Sequence, residues 1–327
     1  MQYIRIGRFV KWLCVVTVCA LAAGQLVDLV RRDPQVGHWR TMEDQARYGT
    51  ARDAVMSRLP RPDHERSVVT SFGLARVVTW VGEQPGSPVV LLPGHSSGIP
   101  MWADNLPSWI GTRTIHALDP VGDAGMSAQT VPMSGPDDQA QWVSEVIAAL
   151  DIPQAHLVGH SFGAATAAVV ATRHPEQVAS LALLEPVLVI QRPPASVLLW
   201  SGVLALPTPQ TWRDHALARI GGTSVEEVRR RTPMSEMIDA ASSGYRPAMP
   251  TPPRLTDHEW RQLAMPVRVD LGAASTLSGR ERAAERIRAL LPDATVTVWP
   301  GRGHSLPMEE KDVLGDELLD FWSKAAG

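Results

Sequence analysis

The sequence predicts an α/β protein: a mostly parallel, doubly wound, eight-stranded sheet with a helical cap inserted after the sixth strand. Three observations carry this. Short apolar runs alternate with amphipathic segments over most of the 327 residues, as strand–helix–strand crossovers require. A strand-like run, Ala155–Val158, passes through Gly159-His160-Ser161-Phe162-Gly163 directly into an Ala/Val-rich helix. Between residues 187 and 262 the alternation stops, and Pro-rich helical pieces with no good strand replace it.

The N-terminal segment, residues 1–32, stands apart. Arg5, Arg8 and Lys11 precede an apolar run, Trp12–Ala23, that continues weakly to Val30. This is the charge and hydropathy order of a secretory signal, with Ala20-Leu21-Ala22 as a small-residue cleavage site. Read as an uncleaved anchor, Trp12–Val30 nearly reaches the ~20 residues of a membrane helix, although Gln25 and Asp28 weaken that reading. The expectation is export, by secretion or by membrane anchoring through this helix; the alternative is a buried helix. Both cysteines, Cys14 and Cys19, lie in this run. The rest of the chain therefore has no disulfide, thiolate metal site or cysteine nucleophile.

Residues 33–66 are polar, and read as a linker with a helix around positions 41–59. The first part of the core, 67–186, opens with alternating runs at 67–71 and 74–81 around Gly73, a hairpin pattern. Pro88-Val-Val-Leu-Leu-Pro93 is continuously apolar, as a central parallel strand must be. A helix over 101–110, a strand over 114–119 and an amphipathic helix over 137–150 follow, then the Ala155–Val158 strand with its helix, and a strand over 178–184. The cap, 187–262, contains helical pieces at 196–204, 211–220 and 224–231. The core resumes over 263–327 with strand 266–271, helix 279–291, strand 295–299 and helix 312–322. The hydrophobic content of 44% can fill one large core, and a net charge of −3 gives no electrostatic case for nucleic acid. No ligand cluster for a metal or organic cofactor is visible, so none is expected.

Gly-x-Ser-x-Gly between strand and helix resembles the nucleophile elbow of the α/β-hydrolase family, here with Ser161 at its centre. A serine on so sharp a turn sits in strained backbone, and small flanking residues let strand and helix approach. In this family the members of the triad follow in the order Ser, acid, His. The resemblance points to His304, in Gly301-Arg-Gly-His-Ser305 after the last strand, as the base. His160 only flanks the serine, and His95 is a loop residue. The usual acid site after the seventh strand reads Gly272-Ala273-Ala274-Ser275, a serine where many members hold an aspartate. Asp270 lies within the strand, pointing away from that turn. The alternative acid site of the fold, at the end of the sixth strand, holds Glu185, directly before Pro186.

The oxyanion donors expected from the resemblance are the backbone N–H of Phe162 and, from Pro93-Gly94-His95-Ser96, that of His95, with Trp102 where relatives carry an aromatic. Asp119-Pro-Val-Gly-Asp-Ala-Gly-Met-Ser127 matches a structural turn of the family, and Asp123 reads as a turn residue in it. Together these features imply a carboxylesterase-like serine hydrolase acting on a small-molecule ester, thioester or lactone with an apolar acyl group. The missing aspartate motivates a second expectation, a non-hydrolytic binding or sensor protein with a relic triad. A cofactor-free lyase or perhydrolase would use the same residues.

Overall fold

A computed structural model describes residues 35–325 apart from positions 193 and 207. The expected signal or anchor segment lies outside the described residues. Among those described, no helix is long and apolar enough to cross a membrane.

In chain order the elements begin with β1 (His38–Trp39) and α1 (Met42–Met56), the latter capped by the Thr41 side chain, which accepts from Asp44 N–H. The hairpin β2 (His64–Thr70) and β3 (Gly73–Trp80) follows, then β4 (Val89–Leu92), α2 (Leu106–Trp109) and β5 (Ile115–Leu118). Next come β6 (Ala128–Gln129), α3 (Pro136–Ala149), β7 (Ala155–His160), α4 (Phe162–Arg173) and β8 (Val178–Leu184). The cap holds α5 (Ala195–Ala205), α6 (Gln210–Gly221), α7 (Val225–Arg229), α8 (Pro233–Gly244), β9 (Tyr245–Arg246) and α9 (Asp257–Arg261). The core closes with β10 (Val267–Gly272), α10 (Arg280–Leu290), β11 (Thr295–Trp299), α11 (Leu306–Glu309) and α12 (Lys311–Ala325).

The main sheet runs β11-β10-β8-β7-β4-β5-β3-β2, with β6 added beside β3. Strands β4, β5, β7, β8, β10 and β11 are parallel; β2 and β3 are antiparallel to their neighbours. Strand β4, at the centre of the parallel part, is apolar on both sides because both faces are covered. On one face α3, α4 and α10 bury Trp142, Val146, Val169 and Ile287 against Val90 and Leu157. On the other, α2 and α12 bury Trp109, Leu314 and Trp322 against Val89, Leu91 and Val158.

The fold class is as expected, and three details differ. The helix expected over 101–110 is split into a 3-10 turn, Ile99–Asp104, and the short α2. Pro107 has no N–H to carry a continuous helix through. Residues 36–66, expected as a linker with a helix, carry more structure than that: β1 pairs with β9, β2 begins at His64, and α1 packs on α8 around Tyr48, Met237, Ala240 and Tyr245. Helix α8 and the strand β9 were not legible in the Pro-rich stretch. α8 starts at Pro233, with Thr232 accepting from Ser235 N–H, a capping motif read easily once seen.

Candidate active site

The site is built where β7 and β8 end side by side. Ser161 follows β7 with φ 54° and ψ −114°, and Glu185 follows β8 with φ 51°. Both are left-handed positions that L-residues occupy at a cost of order 1–3 kcal/mol, and such strain concentrates at functional sites. The two strand ends are fastened to the sheet: Ser161 N–H donates to Leu184 C=O at 3.0 Å and Glu185 N–H to Asp270 C=O at 2.8 Å. The elbow needs its glycines for close approach. A Cβ on Gly159 would stand 2.4 Å from Gly163 O, and one on Gly163 2.2 Å from Leu92 O.

His304 arrives on the loop between β11 and α11. Its Nε2 lies 2.8 Å from Ser161 Oγ and its Nδ1 2.9 Å from Glu185 Oε2. The second carboxylate oxygen of Glu185 accepts from Ser278 Oγ at 2.8 Å and from Gly272 N–H. Glu185 is fully buried, so this full set of donors is what makes a carboxylate tolerable there. The turn Gly272–Ser275, which lacks the usual acid, thus contributes a backbone donor to the Glu185 carboxylate at the end of the neighbouring strand. Ser278 was missed at the sequence level. It is one serine in a polar turn, and only the tertiary fold brings it to Glu185.

His304 N–H donates to Gly221 C=O at 2.8 Å, which ties this loop to the end of the cap helix α6. Its carbonyl accepts from His160 Nε2 at 2.9 Å, and the two rings are 4.9 Å apart. Burial, and then the charge on the His304 ring, push His160 down to about 3, so its imidazole is neutral.

The loop after β4 runs against the elbow: a Cβ on Gly94 would stand 3.4 Å from Ser161 Cβ. No acceptor for the backbone N–H of His95 or Phe162 is found among the described residues. Two buried carboxylates brace this loop. Asp123 accepts from Ser96 N–H at 2.7 Å and pairs with His95 Nδ1 at 2.9 Å. Asp119 accepts from Ile99 N–H at 2.7 Å and from Met126 N–H at 2.8 Å. Asp123 is therefore a turn residue that also fixes the neighbouring loop, a contact sequence spacing does not reveal. The His95 side chain is half-exposed; burial lowers its pKa, but the charge and hydrogen bond of Asp123 outweigh this and raise it. Trp102 is fully buried against Trp109, behind the loop.

Asp270 does not approach His304. It is fully buried, bound by Arg268 through Nε at 2.7 Å and Nη2 at 2.8 Å, and by Trp299 Nε1 at 2.9 Å. No group of three or more His, Cys, Asp or Glu arranged to hold a metal occurs among the described residues. Cavities of about 620 and 360 Å³ lie under the N-terminal arm and beside α6; Ser161, Glu185 and His304 line neither.

The sheet order and the strand–serine–helix elbow define the class, and the chain belongs to the alpha/beta hydrolase family, whose pattern it matches over residues 89–316. Among individual proteins it is similar to carboxylesterase YbfK of Bacillus subtilis, at 24% identity over 86% of this chain and 95% of that one. A second carboxylesterase of the same organism, nap, is 24% identical over 80% of this chain and 87% of its own length. The crystal structure of naproxen esterase from Bacillus subtilis superposes with a TM-score of 0.76 at 23% identity, covering 85% of this chain and 98% of that one.

Proposed function

We propose that the protein is a serine hydrolase that cleaves a carboxylic ester through an acyl-enzyme, using Ser161, His304 and Glu185. The observation that carries this is the unbroken pair of hydrogen bonds from Ser161 Oγ through the His304 ring to Glu185. A serine hydroxyl is a weak nucleophile until a base takes its proton. In this reading Ser161 Oγ attacks the ester carbonyl as its proton passes to His304 Nε2. Glu185, accepting from Nδ1–H, stabilises the imidazolium and fixes the tautomer. The tetrahedral oxyanion takes hydrogen bonds from the N–H groups of Phe162 and His95. His304 then gives its proton to the departing alkoxide, and the alcohol leaves. Water attacks the acyl-enzyme, His304 takes its proton, and the acid departs as Ser161 recovers its own.

The names of the full-length relatives, both carboxylesterases, favour an ester over a thioester or lactone. The Leu and Trp side chains of the cap favour an apolar acyl group. The non-hydrolytic alternative rests on the missing aspartate at Gly272–Ser275, and the contact between Glu185 and His304 supports the hydrolytic reading over it. The N-terminal basic–apolar order supports, in the same proposal, a domain outside the cytoplasm; fractionation of tagged protein tests this.

The test is labelling by a fluorophosphonate probe together with turnover of a p-nitrophenyl ester panel. Rapid labelling that Ser161→Ala abolishes, with turnover lost in parallel, is expected. A folded wild-type chain that neither labels nor turns over any ester would overturn the proposal.

A further inference from the structure

We infer that the outer face of α5 and α6 is a docking surface for an anionic phospholipid bilayer. Five of the twelve large hydrophobic side chains exposed among the described residues fall between positions 198 and 217: Leu198, Leu199, Leu206, Trp212 and Leu217. Leu199 is 68% exposed, Leu198 63% and Trp212 60%. Helix α5, ASVLLWSGVLA, has no charged residue on any side. A helix at a water-facing surface normally turns a charged stripe outward; one apolar all round belongs in a core or in lipid. Apolar clusters of this kind on a surface mark an interaction site rather than chance exposure.

Charge identifies the occupant. Residues 191–232 carry six arginines and three carboxylates, in a chain whose net charge is −3. Two of those carboxylates are taken: Asp214 by Arg229 and Glu227 by Arg230. Arg192, Arg219 and Arg231 form no ion pair among the described residues. Arg219 follows Trp212 by seven residues, two turns along the same stripe of α6. An exposed apolar segment with an aromatic, Arg192, Arg219 and Arg231 in the same stretch matches acyl chains below and phosphates above. Within α5 a protein partner finds only the hydroxyls of Ser196 and Ser201 and the indole N–H of Trp200 for side-chain hydrogen bonds, whereas protein interfaces carry many. The apolar run Trp12–Val30, with Arg5, Arg8 and Lys11 before it, would bring this same chain to a bilayer. This docking does not depend on the hydrolase reading. It gains a consequence from the geometry, because the carbonyl at the end of α6 holds the His304 loop.

The test uses the full chain with Cys14→Ser and Cys19→Ser and a single nitrobenzoxadiazole label at Leu199→Cys, with Trp212→Cys as a second reporter. Val69→Cys, at a residue 77% exposed on the sheet edge, is the control. Vesicles contain equal parts of phosphatidylcholine and phosphatidylglycerol, with or without doxyl-labelled acyl chains. Blue shift and doxyl quenching at 199 and 212, but not at 69, are expected. Arg192→Gln with Arg219→Gln should weaken the quenching several-fold, as should pure phosphatidylcholine. Labels at 199 and 212 that stay in water while the chain is vesicle-bound would overturn the inference. So would a blue shift that appears without vesicles as protein concentration rises, which would assign the face to a second copy, or equal quenching at all three positions.

Discussion

His160 Nε2 donates to the backbone carbonyl of His304 at 2.9 Å, so the residue before the nucleophile grips the loop that carries its partner. Because His160 stays neutral, this bond is unchanged across the working pH range. His160→Phe should lower kcat about tenfold, the value of one hydrogen bond of roughly 1–1.5 kcal/mol, with KM nearly unchanged. His160→Gln, whose amide can donate, should recover most of the loss. Steady-state kinetics of the two variants on one ester checks this, and equal kcat in both would refute the gripping role.

Glu185→Gln should reduce kcat by about 10³–10⁴, as removal of the orienting carboxylate does in comparable triads, while fluorophosphonate labelling slows in proportion. The amide cannot stabilise an imidazolium. A variant that keeps wild-type turnover would move the acid elsewhere.

Asp270→Asn is the contrasting case. Its carboxylate is committed to the buried Arg268 guanidinium and to Trp299. Removing one partner of a buried ion pair costs about 3–5 kcal/mol, so urea unfolding should shift by that much, while the folded fraction keeps near-normal kcat.

The order of strands and the elbow were legible because each depends on local pattern: a continuous apolar run, a glycine pair around a serine. The juxtaposition of Ser161, His304 and Glu185 could be anticipated because each follows the end of a strand, on one edge of the sheet. What was not legible depends on contacts across long separations. Ser278 reaches Glu185 over 93 positions and Asp123 reaches His95 over 28, and neither has a periodic signature. The pairing of β1 with β9 joins the N-terminal arm to the cap, and a two-residue strand leaves no pattern to read. The break in the helix over 99–109 is local in origin, since Pro107 supplies no N–H there.

Acid should destabilise the fold early. His116 and His156 are held down to about 4 by burial and a nearby arginine, and His160 to about 3. In the unfolded chain each returns to its ordinary 6.5. The unfolded state therefore binds more protons, so stability is intact above pH ~6.5 and is lost as pH falls toward 4. With three such groups the slope approaches about 4 kcal/mol per pH unit near pH 5. His95, raised by Asp123, works in the opposite sense: its contribution is present below 6.5 and fades as pH rises through its folded value. Urea midpoints from pH 7 to 5 should fall steeply, and His156→Phe should remove about a third of the slope.

The arm-to-cap contact is open to a steric test. A Cβ on Gly244 would stand 2.6 Å from Asp44 Cβ, so Gly244→Val should push α1 off α8. Overpacking of this kind costs about 1–3 kcal/mol. Chemical denaturation reads the loss, and a neutral result would show that the arm yields freely.

Ser161 and Glu185 hang from adjacent strands, each hydrogen-bonded into the sheet through its own N–H. Two of the three groups in the relay are thus one stiff casting. Alignment of the relay reduces to a single variable, where the loop of His304 stands between the grip of His160 and the carbonyl of Gly221. Anything that displaces the end of α6 acts on that loop, and through Thr276, whose hydroxyl donates to Ile220 C=O at 2.7 Å, on the turn beside it. Such a site can be put out of gear by a shift in the cap and restored by its return, with Ser161 and the sheet beneath it left undisturbed.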